Sequence, residues 1–228
     1  VITKRRSRSK AEIQKKLADL ELQSLRSQMN PHFIFNTLSS IQHFITGNKT
    51  EDALRYLSKF AKLMRTILDN SKSSMVSIGE ELNALNLYLE LEKVRFKQKF
   101  DFAIHIDDSI EPEFDDIPPL IMQPYVENAL LHGIMPLRSP GKIDIWIKRN
   151  NRHIKIVIED NGIGRAASLK EKSRIENKSL GMKITKGRLD IINKINRSDL
   201  SVNIIDKIDE NNQPLGTRVE IFIPVVDE

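Results

Sequence analysis

Cysteine is absent from all 228 residues. That excludes a disulfide framework and zinc held by thiolates, and it is compatible with a reducing cytoplasm. Also missing is any apolar run near the roughly 20 residues needed to cross a bilayer, so the chain as given is expected to be soluble. No secretory signal opens it. Basic charge is scarce where a nucleic-acid surface would need it. The net charge is +5, but residues 1–16 (VITKRRSRSKAEIQKK) hold seven Lys or Arg against Glu12, a local +6 that leaves about −1 for the remainder. A basic tail entering a helix suits anionic lipid headgroups beside a membrane anchor, and nucleic acid is not expected as a partner. The chain begins at Val1 rather than Met, as the cytoplasmic part of a longer protein would. What is present, 39% hydrophobic and 29% charged residues, suffices for one large or two modest packed domains.

The hydrophobic period changes near residue 100. Before it, Ile13, Leu17, Leu20, Leu25 and Met29 approximate a coiled-coil stripe, resumed by Ile34, Leu38, Ile41 and Ile45. Turn residues in ITGNKTED separate this from a second helix marked by Ala53, Leu57, Phe60, Leu63, Met64, Ile67 and Leu68, which predicts an antiparallel helical hairpin. A third helix starts in SIGEELNALNLYLELEKVRF, where Ser77 and Glu80 have the spacing of a capping box. Further on, FDFAIHI, KIDIWIK and HIKIVIED alternate as strands, and IPPLIMQPYVENALLHG approaches a helix through prolines. LGMKITKGRLDIINKI is helical, and LSVNIID and GTRVEIFIP are closing strands. Strands with helices grouped between them predict a two-layer α/β sandwich. The polar segment RAASLKEKSRIENKS reads as a mobile loop of the kind that closes over ligands.

Chemistry concentrates in a few stretches. In QMNPHFIFN a proline precedes a histidine inside a long amphipathic helix. At about 100° per residue, Ile34, Leu38, Ile41 and Ile45 share one side, and His32, Asn36, Ser39 and His43 the other, which turns His32 to water. Imidazole is the side chain best suited to act as a nucleophile near neutral pH. Pro31 bends or restarts the helix, with Asn30 able to cap the new start. In YVENALLHG, Asn128 lies one turn before His132, and its amide oxygen could ligate a magnesium carried by a nucleotide. In IEDNGIG a strand ends in Asp160, a carboxylate able to accept from an adenine amino group while Gly162 and Gly164 allow close backbone approach. Taken by itself, Asn161-Gly162 reads as a hairpin turn. In SLGMKITKGRL, Gly181 opens a helix whose free N–H groups could cradle phosphates, with Lys183, Lys186 and Arg188 nearby.

The joint order is more specific than any member, and it resembles the LytS-type sensor histidine kinases, whose QMNPHFIFN, QPYVENALLHG, EDNGIG and GTRVEIFIP segments are matched closely over residues 22–224. The family resemblance implies an α+β chain, with a helical dimerisation hairpin or coiled coil followed by a two-layer α/β sandwich of the Bergerat ATP-binding type. The parts expected are a basic juxtamembrane helix over 1–28, a dimerisation and phosphotransfer domain over 29–76, a linker helix over 77–98, matching YLELEKVRF, and a catalytic domain over 99–228. His32 would be the phosphoacceptor, Asn128 the ligand of Mg2+ bound with ATP, and Asp160 the adenine reader. Gly162, Gly164 and Gly181 would line the nucleotide loops. Glu127 and His132 would lie beside the phosphates and Thr217 beside the adenine. Two departures stand out. The phosphate loop has Ser179, Gly181, Met182, Lys183 and Ile184 where a glycine and an asparagine are more usual. No acid follows His32, as in the LytS group, so Asn36, one turn on, is placed to orient the ring.

The function this implies is ATP-dependent autophosphorylation of His32, then transfer to an aspartate on a response regulator receiver domain, by a homodimer on the cytoplasmic side of the bacterial inner membrane. The apolar stripes support the dimer, since a two-helix hairpin buries such a face only against another copy. Two alternatives share the pocket. An ATPase of the gyrase or MutL type would need a water-activating glutamate where this chain has Pro124, and Glu127 is turned about 100° from Asn128 on a regular helix. A nucleotide-binding pseudokinase acting as an interaction module would not need His32, Asn128 and Asp160 together.

Overall fold

Proline at the first helical position loses nothing, because that N–H has no intrahelical acceptor. Helix α1, Pro31–Thr46, begins there in the computed structural model, which describes residues 31–165, 193 and 199–225. The coiled-coil stripe of residues 13–29, Asn30, most of the polar loop and the Gly181-led helix lie outside the described residues. A turn closed by Gly47 N donating to His43 O (3.0 Å), with Asn48 left-handed at φ 56°, leads into α2, Thr50–Asn70. Glu51 and Asp52 in the first turn of α2 suit the positive end of its dipole. The chain forms two compact units, Val1–Arg55 and Tyr56–Glu228.

One expectation for α1 is corrected. Its buried side chains are Phe33 and Thr37, whereas Leu38 and Ile45, on the predicted core face, are 50% and 58% exposed. A helical wheel identifies which residues share a side, but which side is covered depends on what packs there. Phe33, Thr37, Ser40 and Phe44 form a second, mixed stripe that the periodicity argument overlooked. Helix α2 likewise buries Ala53, Tyr56, Leu63 and Ile67 and leaves Leu54, Leu57 and Leu68 exposed.

Helix α3, Ile78–Arg95, starts as its sequence predicts. Ser77 Oγ accepts from Glu80 N (3.2 Å) and Ser77 N donates to Glu80 Oε2 (3.1 Å), a reciprocal capping box. The helix is buried on several sides, including Leu82, Leu85, Leu89 and Leu91. Two side chains of α2 reach it: Tyr56 Oη donates to Leu91 O (3.3 Å) and Lys59 pairs with Glu90 (2.6 Å). Glu81, also buried, accepts from Leu120 N (2.6 Å) and Met122 N (3.3 Å), and so holds the proline-rich approach to the next helix with Leu120 at φ 54°. A short pair of strands, β1 (Val76–Ser77) and β3 (Asp116–Ile117), ties the same approach to the start of α3.

The main sheet has five strands in the order β2-β4-β5-β7-β6, formed by Phe100–Ile106, Gly141–Asn150, His153–Asp160, Pro214–Pro224 and Ser201–Ile208. β2 runs parallel to β4 and every other pair is antiparallel. Alternation sorts the two faces. Ile143, Ile145, Ile147, Ile154, Ile156, Ile158 and Ile221 are buried on one face, and the register puts Asp160, opposite Ile143, on that same side. The other face carries ion pairs, among them Lys155–Glu220 (3.0 Å) and Lys207–Glu159 (2.5 Å). It also carries Trp146, stacked on His105 of β2 at 5.4 Å between ring centroids and 15° between planes. The strands and the third helix thus follow the sequence expectations.

Candidate nucleotide site

Helix α4, Gln123–Asn128, has Pro124 in its first turn and passes without a break into a π-helical turn, Ala129–Ile134, in which Met135 N donates to Leu130 O (2.9 Å). Such wide turns need one more residue per closure than an α-turn and recur at functional sites. Asn128 stands at the junction, half-buried, with half-buried His132 on the wide turn. Glu127, one residue earlier, accepts from Gln123 Nε2 (3.1 Å), and its charge is felt by Tyr88 and Glu92 of α3.

The wide turn lands on the end of β5. A Cβ on Gly133 would lie 2.9 Å from Asp160 Oδ1, and one on Gly162 would lie 2.4 Å from the Gly133 Cα, so neither position has room for a side chain. Ile163 N donates to Gly133 O (3.0 Å) and completes the clamp. Behind Asp160, Gly216 sits at φ 116°, where a Cβ would come within 2.0 Å of the Asp160 carbonyl oxygen. Gly164 is left-handed at φ 74°. Asn161-Gly162 does not close a hairpin. Asp160 Oδ1 instead accepts from Gly162 N (2.8 Å) and Asn161 Oδ1 from Lys142 N (2.7 Å), and β5 pairs with β4 and β7. Side-chain acceptors have here replaced the cross-strand partners of a two-residue turn.

Asp160 is 4% exposed, and burial pushes its carboxyl up from 3.8 to about 6. Hydrogen bonds from the backbone N–H groups of Gly162 and Thr217, and the charge of Lys207, pull the other way, while Glu159 adds to the rise. The result is a recessed acceptor on the covered face of the sheet, packed against the glycine backbone of the wide turn. Elsewhere, α3 buries a second acid. Glu92 is 1% exposed and pushed up to about 7 by burial, against the pull of Arg95 at 2.5 Å.

The described residues therefore gather Asp160, Gly162, Gly164 and Thr217 with the turn that carries Asn128 and His132. Asn36 is half-buried on α1, the same helix in which His32 occupies the second position, and both belong to the first unit. Gly181, Lys183 and Arg188 lie outside the described residues. Sequence reasoning missed Gly133, Gly216 and Lys207. A glycine inside the helical pattern at 133 was the available signal for a close approach. Lys207, on an edge strand far along the chain, gave none.

A family model described as histidine kinase matches residues 20–100. The sensor protein LytS of Staphylococcus haemolyticus is 34% identical over 155 residues, covering 68% of this chain and 26% of that protein. LytS of Oceanobacillus iheyensis is 35% identical over 165 residues, 72% of this chain and 28% of that one. The sensor histidine kinase/phosphatase LytS of Staphylococcus aureus is 33% identical over 156 residues, 68% and 26%. The chain spans about a quarter of the length of these curated relatives. The helices and the mixed five-stranded sheet form an α+β fold, and its helical part matches the histidine kinase family model. Over 68–72% of its length the chain is similar to sensor proteins of the LytS type.

Proposed function

We propose that the chain is the kinase region of a two-component sensor, which phosphorylates its own His32 from ATP and passes the phosphoryl group to an aspartate of a response regulator receiver domain. The observation that carries this reading is the clamped Asp160: a buried, ionisable acceptor is costly to keep unless a partner N–H arrives, and an adenine amino group is such a partner. Thr217, whose backbone already holds the carboxylate, lies beside the same base edge. Asn128, and with it Glu127 and His132, would face the phosphates. Among the described residues there is no group of three or more His, Cys, Asp or Glu able to hold a metal. An Mg2+ would therefore arrive on the nucleotide, with the Asn128 amide oxygen adding one ligand. Gly181, Lys183 and Arg188 would complete the phosphate cradle. Phosphoryl transfer needs mainly positioning and charge neutralisation, and a neutral imidazole already presents a lone pair to the γ-phosphate. Asn36 would set the ring orientation.

Pro124, in the first turn of α4, offers no proton acceptor for water, which favours the kinase over the ATPase. The row Leu54, Leu57, Ala61, Met64 and Leu68 on α2, exposed apart from half-buried Met64, has the three-and-four spacing of a coiled-coil seam and supports a homodimer. The basic segment 1–16 supports a place at the cytoplasmic side of the bacterial inner membrane, anchored through a segment beyond this chain. Incubation with γ-labelled ATP should give acid-labile label that plateaus at or below about one phosphate per protomer, and His32→Gln should abolish it with nucleotide binding kept. Rapid multiple-turnover phosphate release that survives His32→Gln would replace the kinase reading with the ATPase one.

A further inference from the structure

Lys207 belongs to edge strand β6, yet its ammonium group lies two strands away. Nζ pairs with Glu159 Oε1 (2.5 Å) and donates to the backbone carbonyl of Asp160 (3.3 Å), both on β5. β7 runs between, and the register puts Gly216 opposite Lys207, so the lysine crosses β7 at a residue with no side chain. A register shift between Lys207 and Ile208 marks the same spot. From the open face of the sheet the lysine therefore places a cation under the residue whose carboxylate faces the covered side.

We propose that Lys207 is a specificity-determining residue of the purine site: acting through Asp160, its cation keeps that side chain a hydrogen-bond acceptor for an adenine amino group instead of a donor to the oxo group of guanine. This rests on the nucleotide reading above and goes beyond it. An ionised carboxylate only accepts hydrogen bonds, whereas a protonated one also donates. The 6-position of adenine carries a donor amino group and that of guanine an acceptor oxygen. One side chain can thus favour either base, according to whether it holds a proton.

The balance at Asp160 is close enough for a neighbour to decide it. Burial and Glu159 push the carboxyl up, the N–H groups of Gly162 and Thr217 with Lys207 hold it down, and the balance falls at about 6. Among the described residues, the groups around it are few. β5 contributes Glu159 and β6 contributes Lys207. β7 contributes the Thr217 backbone, with Arg218 turned to Glu159 (3.5 Å) and Glu220 (3.0 Å), and the π-helical turn contributes Gly133 next to His132. Among the described residues, Lys207 is the cation whose charge lowers the Asp160 carboxyl.

The test is calorimetric titration of the 228-residue chain with ADP and with GDP from pH 5 to 8. In wild type, ADP affinity should fall below about pH 6 as Asp160 takes up a proton. In Lys207→Met the acid midpoint should rise by about one pH unit, so that at pH 6 ADP affinity drops about fivefold and the GDP-to-ADP affinity ratio rises about tenfold, with little change at pH 8. Lys207→Arg, which keeps the charge, should restore the wild-type midpoint, an outcome that a purely structural role would not require. A folded Lys207→Met with the wild-type midpoint and base ratio overturns the proposal, as does an Arg variant that behaves like Met. Should Lys207→Met not fold, Glu159→Gln decides: removing the like charge should lower the midpoint, and an unmoved midpoint sinks the idea. A wild-type chain that binds ADP well while only the variants disagree leaves the kinase reading standing. Absence of ADP binding at every pH removes both.

Discussion

Asp160 is kept where folding by itself would not choose to put an acid. Its carboxyl is raised from 3.8 to about 6, so its ionised form is penalised in the fold relative to the unfolded chain. The associated stability is fully present below pH ~4 and lost as the pH rises through about 6. Asp160→Asn should therefore make the nucleotide-free protein more stable at pH 7, by about 1–3 kcal/mol in urea unfolding, while adenine nucleotide affinity falls about tenfold or more. A variant that loses stability and keeps its affinity would mark Asp160 as a structural acid. Gly133 offers a companion test. A methyl there would meet Asp160 Oδ1 at 2.9 Å, so Gly133→Ala should cost about 1–3 kcal/mol of stability and weaken ADP binding together. Unchanged values for both would show that the π-helical turn gives way freely. Of these residues, Asp160 and Gly162 were legible from a strand followed by DNG. Gly133 and Gly216 act by contacts between distant segments, which a single stretch of chain does not display.

Helix α3 shows what an element conceals from its own sequence. Its start was readable to the residue, because the capping box is local: Ser77 and Glu80 satisfy each other's backbone whatever surrounds them. Its interior was not. Tyr88, Glu92 and Arg95 look like ordinary surface residues in YLELEKVRF, yet Glu92 is 1% exposed and paired with Arg95 at 2.5 Å. Such a pair is expensive to bury, and it changes how the helix responds to acid. With its carboxyl raised from 4.5 to about 7, the stability linked to Glu92 is present at and below pH ~4.5 and lost as the pH climbs through 7. Unfolding free energies measured at pH 5 and pH 8 should differ, and Glu92→Gln should shrink that difference by on the order of 2 kcal/mol. An undiminished difference would assign the pH response to other groups. α1 was misread for a related reason. Its wheel carries two usable stripes, and the choice between them was made by tertiary contacts.

In the whole molecule, the strands of the main sheet all begin at or after residue 100, where the hydrophobic period changes, and they fall where alternation put them. Their order in the sheet did not follow from the sequence, since β6 sits at an edge and β7 inside it, a matter of pairing across distant segments. If α2 supplies the dimer seam, wild-type protein at tens of micromolar should sediment as a dimer and the Leu57→Glu, Leu68→Glu double variant as a monomer with unchanged helix content. Equal sedimentation of the two would retire the seam. The open face of the sheet has a consequence of another kind. Trp146 is the single indole in the chain, and it is stacked on His105 across the parallel β2–β4 junction. All tryptophan emission therefore originates at one seam, on the face away from the Asp160 carboxylate. The protein carries its own optical gauge for the departure of β2 from the sheet, readable without any label.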